Sequence, residues 1–161
     1  MTVKEFNNTV NQYSDNVYRF ILKNIKNEEK AQDVVQDSFE KLWINRKAVV
    51  YKKAKSYLFT TAYRTMIDYI RKDKRLTLTN DNRTFESLHE ENYTDIQEVL
   101  HEAIDRLSDV QKSVILLRDY EGYSYKEIAN ITKLTEAQVK VYIYRARVFL
   151  KTYLGKIENI I

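Results

Sequence analysis

The sequence contains no proline, no cysteine and only two glycines, Gly122 and Gly155. Proline and glycine interrupt helices and serve the turns of sheet proteins, so their scarcity points to an all-α fold. Without cysteine there is no disulfide and no thiolate metal site, which suits a reducing compartment. No apolar run approaches the roughly 18 residues of a membrane span, and the opening MTVKEFNNTV lacks a signal-peptide core. A cytoplasmic protein without membrane insertion is expected. The two histidines, His89 and His101, lie far apart without a ligand cluster, and no phosphate-binding loop or nucleophile motif is present. No metal, cofactor, small-molecule substrate or enzymatic activity is therefore expected.

What is present is charge, unevenly spread. Net charge is +3 over residues 1–53, +4 over 54–75, −6 over 76–107 and +3 over 108–161. Two basic segments around an acidic one suggest two contacts with a polyanion, although solvated helix faces account for charge alone equally well. A length of 161 residues accommodates two small helical modules.

Apolar residues recur at helical spacing in Phe6, Val10, Tyr13, Val17, Phe20, Ile21 and Ile25. Asn27 reads as the N-cap of a second helix running to about Arg46, with Ala31, Val34, Val35, Phe39, Leu42 and Trp43 inward. A third helix is expected from about Ala54 to Arg75. Residues 76–93 lose periodicity and read as a flexible linker, acidic at Asp81, Glu86, Glu90 and Glu91. Another helix follows over about 94–107. Then come three Ser/Thr-x-x-Glu/Gln signatures, Ser108–Gln111, Ser124–Glu127 and Thr135–Gln138, each heading a further helix. The expected architecture is an N-terminal bundle of three to four helices (1–75), the linker (76–93) and a four-helix C-terminal domain (94–161).

The segment SYKEIANITKLTEAQVKVYIYRARVFL predicts a helix-turn-helix. Its first helix turns Ile128, Ala129 and Ile131 inward, and small Ala129 permits a close crossing. In the second, Val139, Ile143, Ala146 and Leu150 form the buried stripe. Gln138, Val141, Tyr142 and Arg145 are expected on the opposite face, where side chains reach base edges in a major groove. Lys140, Arg147, Lys151 and the Thr135 cap are placed to meet phosphates. A helical hairpin serving only a protein interface is the alternative. Lys133 stands where such turns usually carry glycine; either it adopts a left-handed conformation at a cost of ~1 kcal/mol, or the turn follows a different path.

AIDRLSDVQKSVILLRDYEGYSYKEIA, LTEAQVK and YRAR together resemble the fourth conserved region of extracytoplasmic-function sigma factors, of the sigma-70 superfamily. EEKAQDVVQDSFEKLW and SYLFTTAYRTMIDYIRK resemble their second region, and the likeness covers most of residues 10–154. Departures are Tyr57-Leu58 for the family's aromatic-Leu opening, Tyr63-Arg64 for its Arg-Asn pair, and Tyr142 where arginine is frequent.

The resemblance implies a factor that binds core RNA polymerase and directs transcription initiation, without chemistry of its own. It implies that Asp33, Gln36, Asp37, Glu40 and Lys41 dock on polymerase, a stripe otherwise read as a solvated acidic face. It assigns the third helix, with Tyr57, Tyr63, Arg64, Arg71, Lys72, Lys74 and Arg75, to the −10 element and its melted non-template strand. Aromatics among cations suit that task, since bases stack on rings while cations follow the backbone. The loop at about 45–54, basic at Lys47, Lys52 and Lys53, is implied to hold a flipped base. The helix-turn-helix is implied to read the −35 element as duplex. A further implied partner is an anti-sigma factor, which could hold the protein at the inner membrane face. The runner-up is a helix-turn-helix regulator that binds DNA independently of polymerase. A third possibility is a protein that binds only other proteins.

Overall fold

The computed structural model describes residues 1–79 and 96–160, and among them all regular structure is helical. Helix α1 (Val3–Ile25) opens on a capping box in which Thr2 Oγ1 accepts from the Glu5 amide at 3.1 Å and Glu5 Oε1 accepts from the Thr2 amide at 2.8 Å. It stops at Lys26, whose left-handed φ of 62° turns the chain while its amide donates to Leu22 O. Asn27 at once caps α2 (Glu28–Ile44), accepting from the Lys30 amide at 3.1 Å. So short a connection lays α2 back along α1. A turn of 3-10 helix, Tyr51–Lys53, then leads into α3 (Ala54–Thr79), which packs against both.

Helix α3 passes the expected boundary at residue 75 because no breaker follows: Leu76 and Thr77 continue the helix. From residue 80 to 93 the expected linker lies outside the described residues, and with it Asp81, Glu86, His89, Glu90 and Glu91.

The C-terminal half consists of α4 (Ile96–Asp105), α5 (Asp109–Ile115), α6 (Tyr125–Thr132) and α7 (Glu136–Ile160). All three expected caps are formed. Ser108 Oγ accepts from the Gln111 amide, and Ser124–Glu127 and Thr135–Gln138 are reciprocal boxes. One turn of π-helix, Leu116–Tyr120, extends α5, a feature the sequence pattern did not reveal. Gly122, at φ 74°, then reverses the chain into α6, a conformation that suits a residue without Cβ.

One continuous core runs through both halves. Val17, Phe20, Ile21, Val34, Leu58, Phe59, Ala62 and Met66 join Ile104, Val114, Ile115, Leu117, Ile128, Ile131, Val139, Ile143 and Ala146. Each large side chain fully buried contributes about 1.5–3 kcal/mol. The junction lies where α3 packs on α6 and α1 touches α5. Two expectations are corrected by this packing. Trp43 is not core but 38 % exposed, because it faces Phe6 of α1 at the wall of an open groove rather than the packed interior. Tyr63 is core, 9 % exposed, because α3 is packed by α1, α2 and α6 together.

Candidate nucleic-acid and protein interfaces

The turn between α6 and α7 fixes the direction of α7. Lys133 has φ 60° and ψ 29°, the left-handed conformation its position demands. This aims α7 away from α6 with Val139, Ile143 and Ala146 buried. Gln138, Val141 and Arg145 are exposed on its outer side, as expected. Tyr142 departs from expectation: its ring lies partly buried against the core, 100° of helix turn away from Val141. Tyr144, not among the expected contacts, is 70 % exposed beside Arg145. Its i+3 spacing from Val141, with Val148 at i+7, was the available signal.

The flanking cations are in place but not all are free. Arg147 donates to Asp119 at 2.8 Å, a bond that raises its pKa, and Lys140 lies 5.7 Å from the Tyr125 ring centroid. Thr135 keeps its hydroxyl on the Gln138 amide, leaving the first amides of α7 at the helix end.

In the N-terminal half, α3 exposes Arg64, Arg71, Lys72 and Arg75. Tyr57 is half-buried, its hydroxyl accepting from Asn45 at 3.0 Å. Lys74 reaches Asp109 at 2.6 Å. Burial raises the Tyr63 phenol's pKa, with Arg71 opposing and Asp109 adding to the rise. Asp68 forms no ion pair with Arg71 or Lys72 among the described residues. The loop before α3 is tied down by the Met1 ammonium, which donates to Arg46 O at 2.6 Å and Val49 O at 3.1 Å. It exposes Val50 and Tyr51 beside Lys47, Lys52 and Lys53. Val50 and Tyr51 had escaped the sequence reading.

On α2, Asp33, Gln36, Asp37, Glu40 and Lys41 are all exposed, with Lys41 donating to Thr65 Oγ1 at 3.2 Å. Beside them opens an apolar groove of about 410 Å³ lined by Phe6, Gln36, Phe39, Glu40, Trp43 and Ile44. Phe39 therefore belongs to a groove wall rather than to the deep core.

Residues 9–76 match the family Sigma-70 region 2, and residues 97–150 match Sigma-70, region 4. RNA polymerase sigma factor SigV of Bacillus subtilis (strain 168) is 33 % identical over 151 residues, spanning 91 % of this chain and 89 % of the relative. ECF RNA polymerase sigma factor SigM of the same organism is 31 % identical over 99 % of both chains. The chain belongs to the sigma-70 family, as a sigma factor of the extracytoplasmic-function type. Its fold agrees with that of the sigma factor RpoE in complex with the anti-sigma factor NepR from Bartonella quintana, at TM-score 0.80 and 26 % identity over 95 % of this chain and 98 % of that one. No helix of this sigma factor is long and apolar enough, among the described residues, to cross a membrane.

Proposed function

We propose that this sigma factor docks on core RNA polymerase through α2, reads a duplex promoter element with α7, and captures the opened strand with α3. The observation that carries the reading is the solvent-facing row Gln138, Val141 and Arg145 on a helix held rigidly by a left-handed turn and a reciprocal cap. Glutamine pairs with adenine, arginine with guanine, and valine meets the thymine methyl, so such a row discriminates base pairs.

The polymerase contact combines an apolar groove with an acidic margin. Asp33, Asp37 and Glu40 would steer and register a basic partner helix, while Phe39, Trp43 and Ile44 supply buried area. In the third surface, Arg64, Arg71, Lys72 and Arg75 follow a strand's phosphates, and Tyr51 and Val50 offer a platform for an unstacked base. Residues 1–79 form the polymerase and downstream module, and residues 96–160 the upstream module. Polymerase supplies the chemistry, and the place of action is the cytoplasm. An anti-sigma partner is supported by the RpoE–NepR relative. A regulator independent of polymerase is disfavoured, because the region 2 match occupies residues 9–76, where its sensing or dimerisation domain would stand.

The division of labour is tested on a promoter that the factor activates. Arg145→Ala should weaken closed-complex footprints over the upstream element. Arg71→Ala should leave those footprints and reduce permanganate reactivity of the opened strand. Equal effects of both substitutions on both readouts would overturn the assignment.

A further inference from the structure

The last turn of α2 is tied to α3 by side chains. At the C-cap, the Asn45 amide nitrogen donates to Lys41 O at 2.9 Å and to the Tyr57 hydroxyl at 3.0 Å. Lys41 O can only accept, so the nitrogen of the amide must face it, and the same nitrogen then meets the phenol as a donor. One turn earlier, Lys41 Nζ donates to Thr65 Oγ1 at 3.2 Å, and Thr65 passes its own proton to Thr61 O at 2.8 Å. Tyr57, Thr61 and Thr65 stand at i, i+4 and i+8, so the end of α2 holds one face of α3 over two turns.

Tyr57 also heads a second row. Arg64, Arg71 and Arg75 follow it at i+7, i+14 and i+18, within about 40° of one line along the helix. All three are exposed, and Tyr57 is the aromatic member of this row of cations. Its hydroxyl makes no other hydrogen bond among the described residues. A phenol that accepts from Asn45 keeps its own proton to donate elsewhere.

We infer that Asn45 is a positioning residue for strand capture: it fixes the Tyr57 hydroxyl as a donor to an acceptor on the opened DNA strand, and registers that donor to the docking helix α2. The inference rests on the roles proposed for α2 and α3. Three observations carry it. First, Asn45 serves both surfaces, since Trp43 and Ile44 immediately before it wall the docking groove while its side chain reaches the head of the cation row. Second, Asn45 is exposed, so its bond to Tyr57 is not needed to satisfy a buried group; what the bond sets is geometry. Third, the loop that presents Val50 and Tyr51 starts from the same residue. Asn45 O accepts from the Ala48 amide at 3.0 Å and from the Val49 amide at 3.2 Å. Those are backbone bonds that any side chain at this position keeps, so replacing the amide removes the tie to α3 and leaves the start of the loop.

Core polymerase carrying the full-length factor is titrated with two DNAs taken from a promoter it activates. One is the closed duplex; the other is a fork whose non-template strand is single over the downstream element. Asn45→Ala should lower fork affinity about fivefold, as expected for one net hydrogen bond, with affinity for core polymerase and closed duplex within about twofold of the parent. Asn45→Ser should lose as much, because its short hydroxyl can still cap Lys41 O but falls short of Tyr57, and it serves should Asn45→Ala misfold. Tyr57→Phe, which deletes the hydroxyl and keeps the ring, should match them. The double variant Asn45→Ala, Tyr57→Phe should bind the fork no more weakly than Tyr57→Phe alone, since one hydroxyl carries both effects. Asn11→Ala, at an exposed position on α1, should bind as the parent does.

Fork affinities of the Asn45 variants equal to that of Asn11→Ala overturn the inference. Additive losses in the double variant overturn it too, as do equal losses on fork, closed duplex and core polymerase, which mark a role in folding alone. A parent that binds core polymerase yet prefers the fork no more than the duplex overturns the strand-capturing role of α3, and the role of Asn45 with it.

Discussion

The ring of Trp43 stands edge-on to that of Phe6, centroids 4.9 Å apart and planes at 65°, while the Arg46 guanidinium lies 3.8 Å from the Trp43 centroid. The indole is thus held in one orientation without being covered, and its free surface forms a wall of the α2 groove. A preordered aromatic beside an acidic margin has the character of an interface anchor rather than of a core residue.

Trp43→Ala should weaken binding to core polymerase by about 2 kcal/mol or more, roughly 30-fold in Kd, with helix content unchanged. Phe20→Ala, by contrast, should cost about 3–5 kcal/mol of folding stability, because that ring is 1 % exposed. Trp43 is the one tryptophan of the chain, so its fluorescence reports docking in titrations of the parent protein.

On the recognition helix, Arg145→Ala should cost about 1–3 kcal/mol on the cognate upstream element and relax base preference at one position. Tyr144→Ala should lower affinity for the same element, whereas Tyr142→Ala should mainly lower stability, since that ring packs on the core. Lys140→Ala should weaken all sequences alike and reduce the slope of log K against log salt by about 0.9. Fluorescence anisotropy over a salt series with matched and mutated duplexes separates these outcomes.

Tyr123→Phe should keep or raise stability at neutral pH, because the hydroxyl it removes is buried without a partner among the described residues. Burial, with Glu121 and Glu127 adding to it, raises the pKa of this phenol above its ordinary 10. The folded state therefore holds the phenolic proton more tightly than the unfolded state does. Stability is unaffected by this group below about pH 10 and falls as pH climbs above it. The variant should show a smaller alkaline loss than the parent in urea titrations. The lowered pKa of buried Lys112 acts with the opposite sign below 10.5, in both proteins equally.

Two lysines occupy the left-handed region, Lys26 at φ 62° and Lys133 at φ 60°. Lys133 is exposed, and among the described residues no hydrogen bond or ion pair of its side chain offsets the strain. Lys133→Gly should stabilise the protein by about 1 kcal/mol in thermal or urea unfolding. Lys26→Gly should not, because Lys26 also carries the 2.7 Å pair with Asp105.

Signals that act over one helical turn were legible in the sequence. The boxes at Ser124 and Thr135, the Asn27 cap and the buried stripe of α7 all depend on neighbours within four residues. Apart from Tyr142, the misplaced side chains are those whose environment is set by distant segments. Tyr63 is buried where α3 is packed by both halves of the chain, and Trp43 is left partly exposed because it packs on Phe6 of α1 at the groove rather than in the interior. Tyr142 was assigned to the outer face although its helical angle places it on the flank. The Arg19–Glu121 grip joins residues 102 positions apart, a pairing no local pattern encodes. Of the candidate site, the exposed cations and the α2 acidic face were readable as charge, while Tyr144, Tyr51 and the α2 groove required the packed structure.

The most direct test is run-off transcription with purified core RNA polymerase, this sigma factor and a library of promoter fragments. Discrete transcripts from a subset of promoters sharing upstream and downstream elements, lost when Arg145→Ala or Trp43→Ala replaces the parent, are the predicted result. No factor-dependent transcript from any promoter, beside a matched sigma factor that is active in the same reaction, would contradict the account.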